Sequence, residues 1–178
     1  MIRVLLTAMI VVGLCGCQAA SPRLSSTTQP AVPTEGNGAL AEYIADQPYL
    51  TAEPAFRAVY ILSNGTVFEG DYGTLAGQLQ ADGLIKSADI PPDALLSRST
   101  VGYLLCKACD VQTGLNWKLT GLGRYAWREL NYLGIASPIG EYGYVPGGQF
   151  IGMLARCEDY MHRIQKDGEE RVELGAEP

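Results

Sequence analysis

Four stretches of this sequence carry apolar residues spaced at i, i+3 and i+4, three of them continuing to i+7, and that spacing commits each of them to one face of a helix. The sets are Phe56, Val59 and Tyr60; Tyr72, Leu75, Ala76 and Leu79; Val101, Leu104, Leu105 and Ala108; and Phe150, Met153, Leu154 and Cys157. Ser97 and Thr51 stand just before two of these helices as N-caps, where a side-chain oxygen can accept an unpaired backbone N–H. Gly83 and Gly134 stand where a helix stops, as C-cap glycines. Between the helices lie turn and loop signals: Asn64-Gly65, Ile90-Pro91-Pro92-Asp93, Ser137-Pro138 and Pro146-Gly147-Gly148. Long alternating strands are missing. The expected fold class is mostly α, built from compact helix-loop-helix units with long loops.

The units repeat. Leu79-Gln80-Ala81-Asp82-Gly83-Leu84-Ile85 matches Leu130-Asn131-Tyr132-Leu133-Gly134-Ile135-Ala136. Val101-Gly102-Tyr103-Leu104 matches Ile151-Gly152-Met153-Leu154 in the same order, at an offset of roughly fifty residues. Each unit therefore reads as helix, Gly stop, loop, helix. The helix from Thr51 to Leu62 reads as the second half of an earlier, incomplete unit. A single unit cannot bury its own apolar face, whereas stacked units can.

This pattern resembles the S-layer homology domain. There, a helix ends in Gly-Ile, a loop with an aromatic and a proline follows, and a second helix opens on Leu-Thr-Arg-Ala-Glu. Here Tyr125-Ala126-Trp127-Arg128-Glu129-Leu130, Leu133-Gly134-Ile135, Tyr144-Val145-Pro146 and the Phe150 helix come in that order. Leu96-Ser97-Arg98-Ser99 and Leu50-Thr51-Ala52-Glu53 occupy the place of the opening motif. The resemblance implies attachment to cell-wall polysaccharide, with the opening arginine touching the ligand. Of the three openings only the second keeps that arginine, Arg98; Thr51-Ala52-Glu53 lacks it, and Gly147-Gly148-Gln149 lacks the whole motif.

The N-terminus reads as an export signal. Met1-Ile2-Arg3 is followed by an apolar run from Val4 to Leu14 and then by Leu14-Cys15-Gly16-Cys17. The run is too short to span a membrane, which takes about 20 apolar residues. The last four residues resemble the lipobox of bacterial lipoproteins, which implies cleavage before Cys17 and a diacylglycerol on its thiol. Cys15 cannot take this role, because Leu14 is too large for the residue before the cut. Gln18 is not the aspartate that holds some lipoproteins at the inner membrane, so the outer membrane is favoured. The expected localisation is the cell envelope, with the membrane as a partner through lipid on Cys17.

Composition divides the chain. Residues 1–16 are the signal peptide, and 17–38 are the lipidated cysteine and a Ser-, Thr-, Pro- and Ala-rich stretch that reads as a flexible tether. Residues 39–164 hold nearly all the aromatic and branched residues and form the helical repeat domain, and 165–178 read as a charged, disordered tail. A net charge of −6 argues against nucleic acid as a partner.

Catalytic constellations are scarce. The single histidine, His162, lies beside the charged tail, away from any serine or cysteine motif. Phosphate loops, His-Glu-x-x-His and Gly-x-Ser-x-Gly do not occur. Gly140 to Gly148 lacks a following lysine and reads as a loop. Cys106-Lys107-Ala108-Cys109 lacks the histidine needed for haem attachment and falls near the wrong end of its helix for a redox pair. Zinc could use Cys106, Cys109, Cys157 and His162. A structural disulfide suits an oxidising compartment better, and Cys109–Cys157 is the favoured pair among Cys106, Cys109 and Cys157. Tyr142 and Tyr144 in the glycine-rich loop can stack on sugars or proteins. Arg124 and Arg128, one turn apart, can meet a carboxylate or phosphate or line a solvated face. The expectation is a non-catalytic binding module for wall polymer or an envelope protein, with Arg98, Tyr142 and Tyr144 as binding residues and no metal or cofactor. The alternative is an enzyme or metal-dependent protein using the cysteine cluster.

Overall fold

A computed structural model describes residues 22–23, 31–34 and 36–175. The expected lipidation site, Cys17, lies outside them. Seven helices make up the fold among the described residues. They are α1 (Asn37–Ala45), α2 (Ala52–Asn64), α3 (Tyr72–Ala81), α4 (Arg98–Ala108), α5 (Leu115–Thr120), α6 (Gly123–Tyr132) and α7 (Gly147–Gly175). The four apolar stripes fall on α2, α3, α4 and α7, and the fold is mostly helical as the periodicity requires.

The helix ends follow local chemistry. Ser97 Oγ accepts the Thr100 N–H at 3.2 Å and caps α4. Thr51 sits at the N-cap of α2 but makes no side-chain cap bond; it is buried and its backbone pairs with Leu95 instead. Asp71 caps α3, accepting the Thr74 N–H at 3.0 Å, a cap not singled out from sequence. Gly83 and Gly134 adopt φ of 72° and 73°, the left-handed region that favours glycine. After each, the chain folds back identically. Leu84 and Ile85 N–H donate to Leu79 O, and Ile135 and Ala136 N–H donate to Leu130 O.

Backbone pairing joins the entrances to α2, α4 and α7. Leu50 N–H donates to Val145 O at 2.8 Å, Leu96 N–H to Leu50 O at 3.0 Å and Arg98 N–H to Gly143 O at 2.9 Å. Isolated antiparallel bridges link Thr51 with Leu95 and Ser97 with Tyr144. Leu50, Leu96 and Val145 are buried at this junction. Three helix openings thus start from one hub, and their apolar faces share one core with Phe56, Trp127 and Phe150 at its centre.

Glycine sets how closely the helices approach. A Cβ on Gly102 would lie 2.7 Å from Trp127 N, and one on Gly123 would lie 2.1 Å from Ser99 O. These two positions let α4 and α6 pack backbone to backbone. A Cβ on Gly147 would lie 1.7 Å from Ile44 O, so α7 starts directly against the end of α1.

Four expectations are corrected. First, the unit read as incomplete has a helix before it: α1 buries Leu40 and Ile44, one turn apart, a signal too short for a stripe. Second, the stretch at 17–38 is not a tether throughout. Pro22 O accepts the Leu95 N–H, Arg23 bridges Ala94, and α1 begins at Asn37. Backbone pairing needs no large apolar side chain, so composition could not reveal it. Third, Pro146-Gly147-Gly148 opens a helix: Phe150 N–H donates to Pro146 O at 3.1 Å. Fourth, the tail expected to be disordered continues α7 to Gly175; its Glu, Lys, Arg and Leu are good helix formers.

Candidate functional site

Arg98 is the first residue of α4, and its guanidinium reaches across the hub to the loop before α7. Its Nη1 donates to Gly140 O at 3.1 Å and to Tyr142 O. Ser99 Oγ donates to Glu141 O at 3.2 Å, and the Arg98 N–H takes Gly143 O. Trp127 Nε1 and Asn131 Nδ2 donate to Ile139 O at 2.7 and 3.2 Å. Five successive carbonyls, from Ile139 to Gly143, therefore each accept a hydrogen bond from α4 or α6. Gly143 at φ 94° lets the chain turn there, against the Arg98 guanidinium. A loop held this way is a rigid platform.

The side chains on that platform divide by environment. Glu141 is buried, and Arg128 Nη2 donates to its Oε1 at 2.8 Å. A hydrogen bond from its own backbone N–H, then the Arg128 guanidinium, hold the Glu141 carboxyl below the usual carboxylate range. Arg124 and Arg128 both lie against the Tyr125 ring, at 5.2 and 5.8 Å. Arg128 thus meets a carboxylate, one supplied by the chain itself. Tyr142 is 77% exposed. Tyr144 packs edge-on against Tyr49, with ring centroids 6.0 Å apart.

The structure brings Arg98, Tyr142 and Tyr144 together at one loop. It also adds Tyr49 and Glu141, which sequence reasoning passed over. Tyr49 could have been found from its place just before a helix opening; Glu141 had no signal beyond being an acid in a glycine-rich loop. Arg98 does double duty, because the group expected to meet a ligand already braces the loop. Its Nε is buried without a partner, as is Gln149 Nε2.

The cysteines form a second cluster. Cys106, Cys109 and Cys157 are buried free thiols. Cys157 and Cys109 are joined by a side-chain hydrogen bond, and that contact, then burial, pushes the Cys157 thiol pKa far up. Burial does the same to Cys106, whose Sγ donates to Ala126 O at 3.5 Å. Protonated, shielded thiols make poor nucleophiles. His162 is exposed on α7 beside Asp159 and Arg156. Among the described residues no group of three or more His, Cys, Asp or Glu side chains is placed to hold a metal ion.

A buried ion pair escaped the sequence reading. Arg57 Nε and Nη2 donate to Glu53 Oε1 at 3.0 and 2.9 Å, and Nη2 also reaches Gly70 O at 3.3 Å. The Tyr72 hydroxyl beside it donates to Ile90 O at 2.6 Å. Burial, reinforced by Glu53 and Asp93, raises the Tyr72 pKa. Arg57 thus ties α2 to the loop before α3, and Tyr72 ties α3 to the loop after it.

No protein-family model, no curated protein and no solved structure matches the chain. Among the described residues no helix is long and apolar enough to cross a membrane.

Proposed function

We propose that this chain is an envelope lipoprotein, anchored by lipid on Cys17, whose helical domain binds cell-wall polymer without performing chemistry. The observation that carries the binding reading is the braced loop from Ile139 to Tyr144. Its backbone is pinned by α4 and α6 while the Tyr142 ring stands in solvent. An exposed aromatic ring on a pinned backbone, beside a guanidinium and the half-buried Tyr144, suits stacking on a sugar and pairing with its anionic substituents. What supports the reading of repeated units like those of S-layer homology domains is that three helix openings meet at the hub, two of them through matching bonds, Leu50 N–H to Val145 O and Leu96 N–H to Leu50 O.

The cysteine cluster supports a structural role more than a catalytic one, since its thiols are buried and the pKa values of Cys106 and Cys157 are pushed up. An envelope protein remains the other class of partner, and it would use the same exposed tyrosines.

Two experiments test this reading. Metabolic labelling with palmitate should mark the wild type and leave Cys17→Ala unlabelled; label on the variant would remove the lipoprotein assignment. Binding to purified wall material should fall roughly tenfold or more in Tyr142→Ala, an exposed position whose truncation leaves the fold alone. Arg98→Ala should weaken binding and also loosen the loop, whereas Arg98→Lys should recover part of both. Wild-type protein with no affinity for wall fractions would turn the proposal to a protein partner.

A further inference from the structure

Helix α5 presents its apolar side to solvent. Trp117 is its one buried residue, with Nε1 donating to Val111 O at 3.2 Å and its ring edge-on to Tyr103 at 5.6 Å. Leu115 and Leu119 lie one turn apart, 73% and 74% exposed. Lys118 is exposed between them, and Leu122 follows, 37% exposed. The helix is bounded by Gly114 and Gly121, both at positive φ. The leucines are thus held outward by a firmly seated tryptophan.

The charge around this face runs against the rest of the chain. The protein carries a net charge of −6, yet from Val111 to Arg128 there are three basic residues, Lys118, Arg124 and Arg128, and no acidic one. Lys107 joins them, its Nζ 5.9 Å from the Trp117 ring. Asp110 and Glu129, at the edges of this stretch, are the acidic neighbours in space as well: the Glu129 carboxylate lies against Gly114 at the start of α5, Asp110 shares a hollow with Lys107 and Lys118, and Arg128 is committed to Glu141, which leaves Lys118 and Lys107 as the cations nearest the leucines.

We infer that the α5 face docks on an anionic lipid leaflet, with Leu115, Leu119 and Leu122 among the upper acyl chains and Lys118 and Lys107 at the headgroup phosphates. Exposed leucines flanked by lysines that can reach upward along their own stems are what an interfacial helix requires. Anionic lipid supplies the opposite charge at short range. The inference rests on the proposed anchor at Cys17, and the anchor is short. Pro22 is already held by Leu95, and the five residues from Cys17 to Pro22 reach at most about 17 Å. Helix α4, 11 residues and about 16 Å long, separates that point from the end where Trp117 sits. The anchor thus keeps the domain within a few nanometres of the membrane that holds Cys17, the range in which its faces can meet the lipid.

The test uses the full, lipidated protein in vesicles of phosphatidylglycerol and phosphatidylcholine carrying a spin-labelled quenching lipid. A fluorophore is placed through Leu119→Cys or, as a control, through Asn64→Cys on an exposed helix end; the native described thiols are buried and shielded from labelling. The expected result is roughly twofold or greater quenching at position 119, little at 64, and loss of the difference in pure phosphatidylcholine. Adding Leu115→Ser and Lys118→Glu should abolish the quenching at 119 while the protein still floats with the vesicles. Floating with equal signals at both positions, or a label shielded by a second copy in detergent, overturns the docking face alone. Failure to float overturns the anchor, and the proposal with it.

Discussion

At the scale of single residues, burial and neighbours decide what a side chain can do, and two predictions follow from them. Cys109 and Cys157 already touch, whereas Cys106 is turned to the Ala126 carbonyl. Protein exposed to an oxidising compartment should therefore gain one bridge, Cys109–Cys157, leaving Cys106 reduced. Peptide mapping under non-reducing conditions reads this directly, and a bridge containing Cys106 would contradict it. The second prediction concerns acid. Glu141 has a carboxyl pKa lowered by its backbone and by Arg128, and Asp71 has one lowered by the Thr74 N–H. A depressed folded-state pKa adds stability above the unfolded carboxylate value and loses it as pH falls through the folded-state value. Denaturation midpoints should thus drop on going from neutral to acid pH, and Glu141→Gln with Asp71→Asn should flatten that drop. An unchanged slope in the double variant would show that these two carboxylates do not carry the acid response. Of the candidate site, Arg98 was named from its place in a helix opening that resembles the S-layer motif, and Tyr142 and Tyr144 from aromaticity in a glycine-rich loop. The brace from Arg98 to the Gly140 and Tyr142 carbonyls was not, because it joins residues more than forty apart through backbone atoms that every sequence possesses.

Among the elements, the long stripes were legible and the short helices were not. α3, α4 and α7 each repeat apolar residues over about two turns, and α2 does so over one with three residues on the face, so their period is written in the sequence. α1 offers only Leu40 and Ile44, and α5 only Trp117, as buried residues, too few to define a period. The glycines carried the other half of the information, and part of it was misread. Gly83 and Gly134 read correctly as stops, because a positive φ is a local demand. Gly102 and Gly147 answer a distant demand, the backbone of another helix. An isolated glycine inside a helical stripe was the available signal for Gly102. Gly147→Ala should therefore destabilise the domain by about 1–3 kcal/mol through overpacking, despite alanine's better helix propensity. Gly77→Ala is the control: its site on α3 has open space, and the same change there should be neutral or stabilise by up to about 1 kcal/mol. Urea titration of the two variants separates the effects, and equal midpoints would show that α7 can shift away from Ile44 at no cost.

For the whole molecule the hub matters more than the order of units along the chain. In an open helical array each unit touches only its sequence neighbours, so units can unfold one at a time. Here Leu50 pairs with Val145 and with Leu96, so the first opening holds the last as well as the second. The Leu50 side chain is fully buried at that meeting point. Leu50→Ala should cost about 2–5 kcal/mol, the range for a leucine removed from a packed core. The cost should fall on all three openings together, because none keeps its partners when the hub loosens. Far-ultraviolet circular dichroism reports all helices, and Trp117 and Trp127 fluorescence reports the α4–α6 region, far in sequence from Leu50. Both probes should lose the same fraction at the same urea concentration, in the wild type and at a lower midpoint in Leu50→Ala. If instead part of the dichroism is lost first while the tryptophans keep their native signal, the helices unfold independently and the hub is only a point of contact. Coincident curves would make the junction of Leu50, Leu96 and Val145 the element that binds α2, α4 and α7 into one cooperative domain.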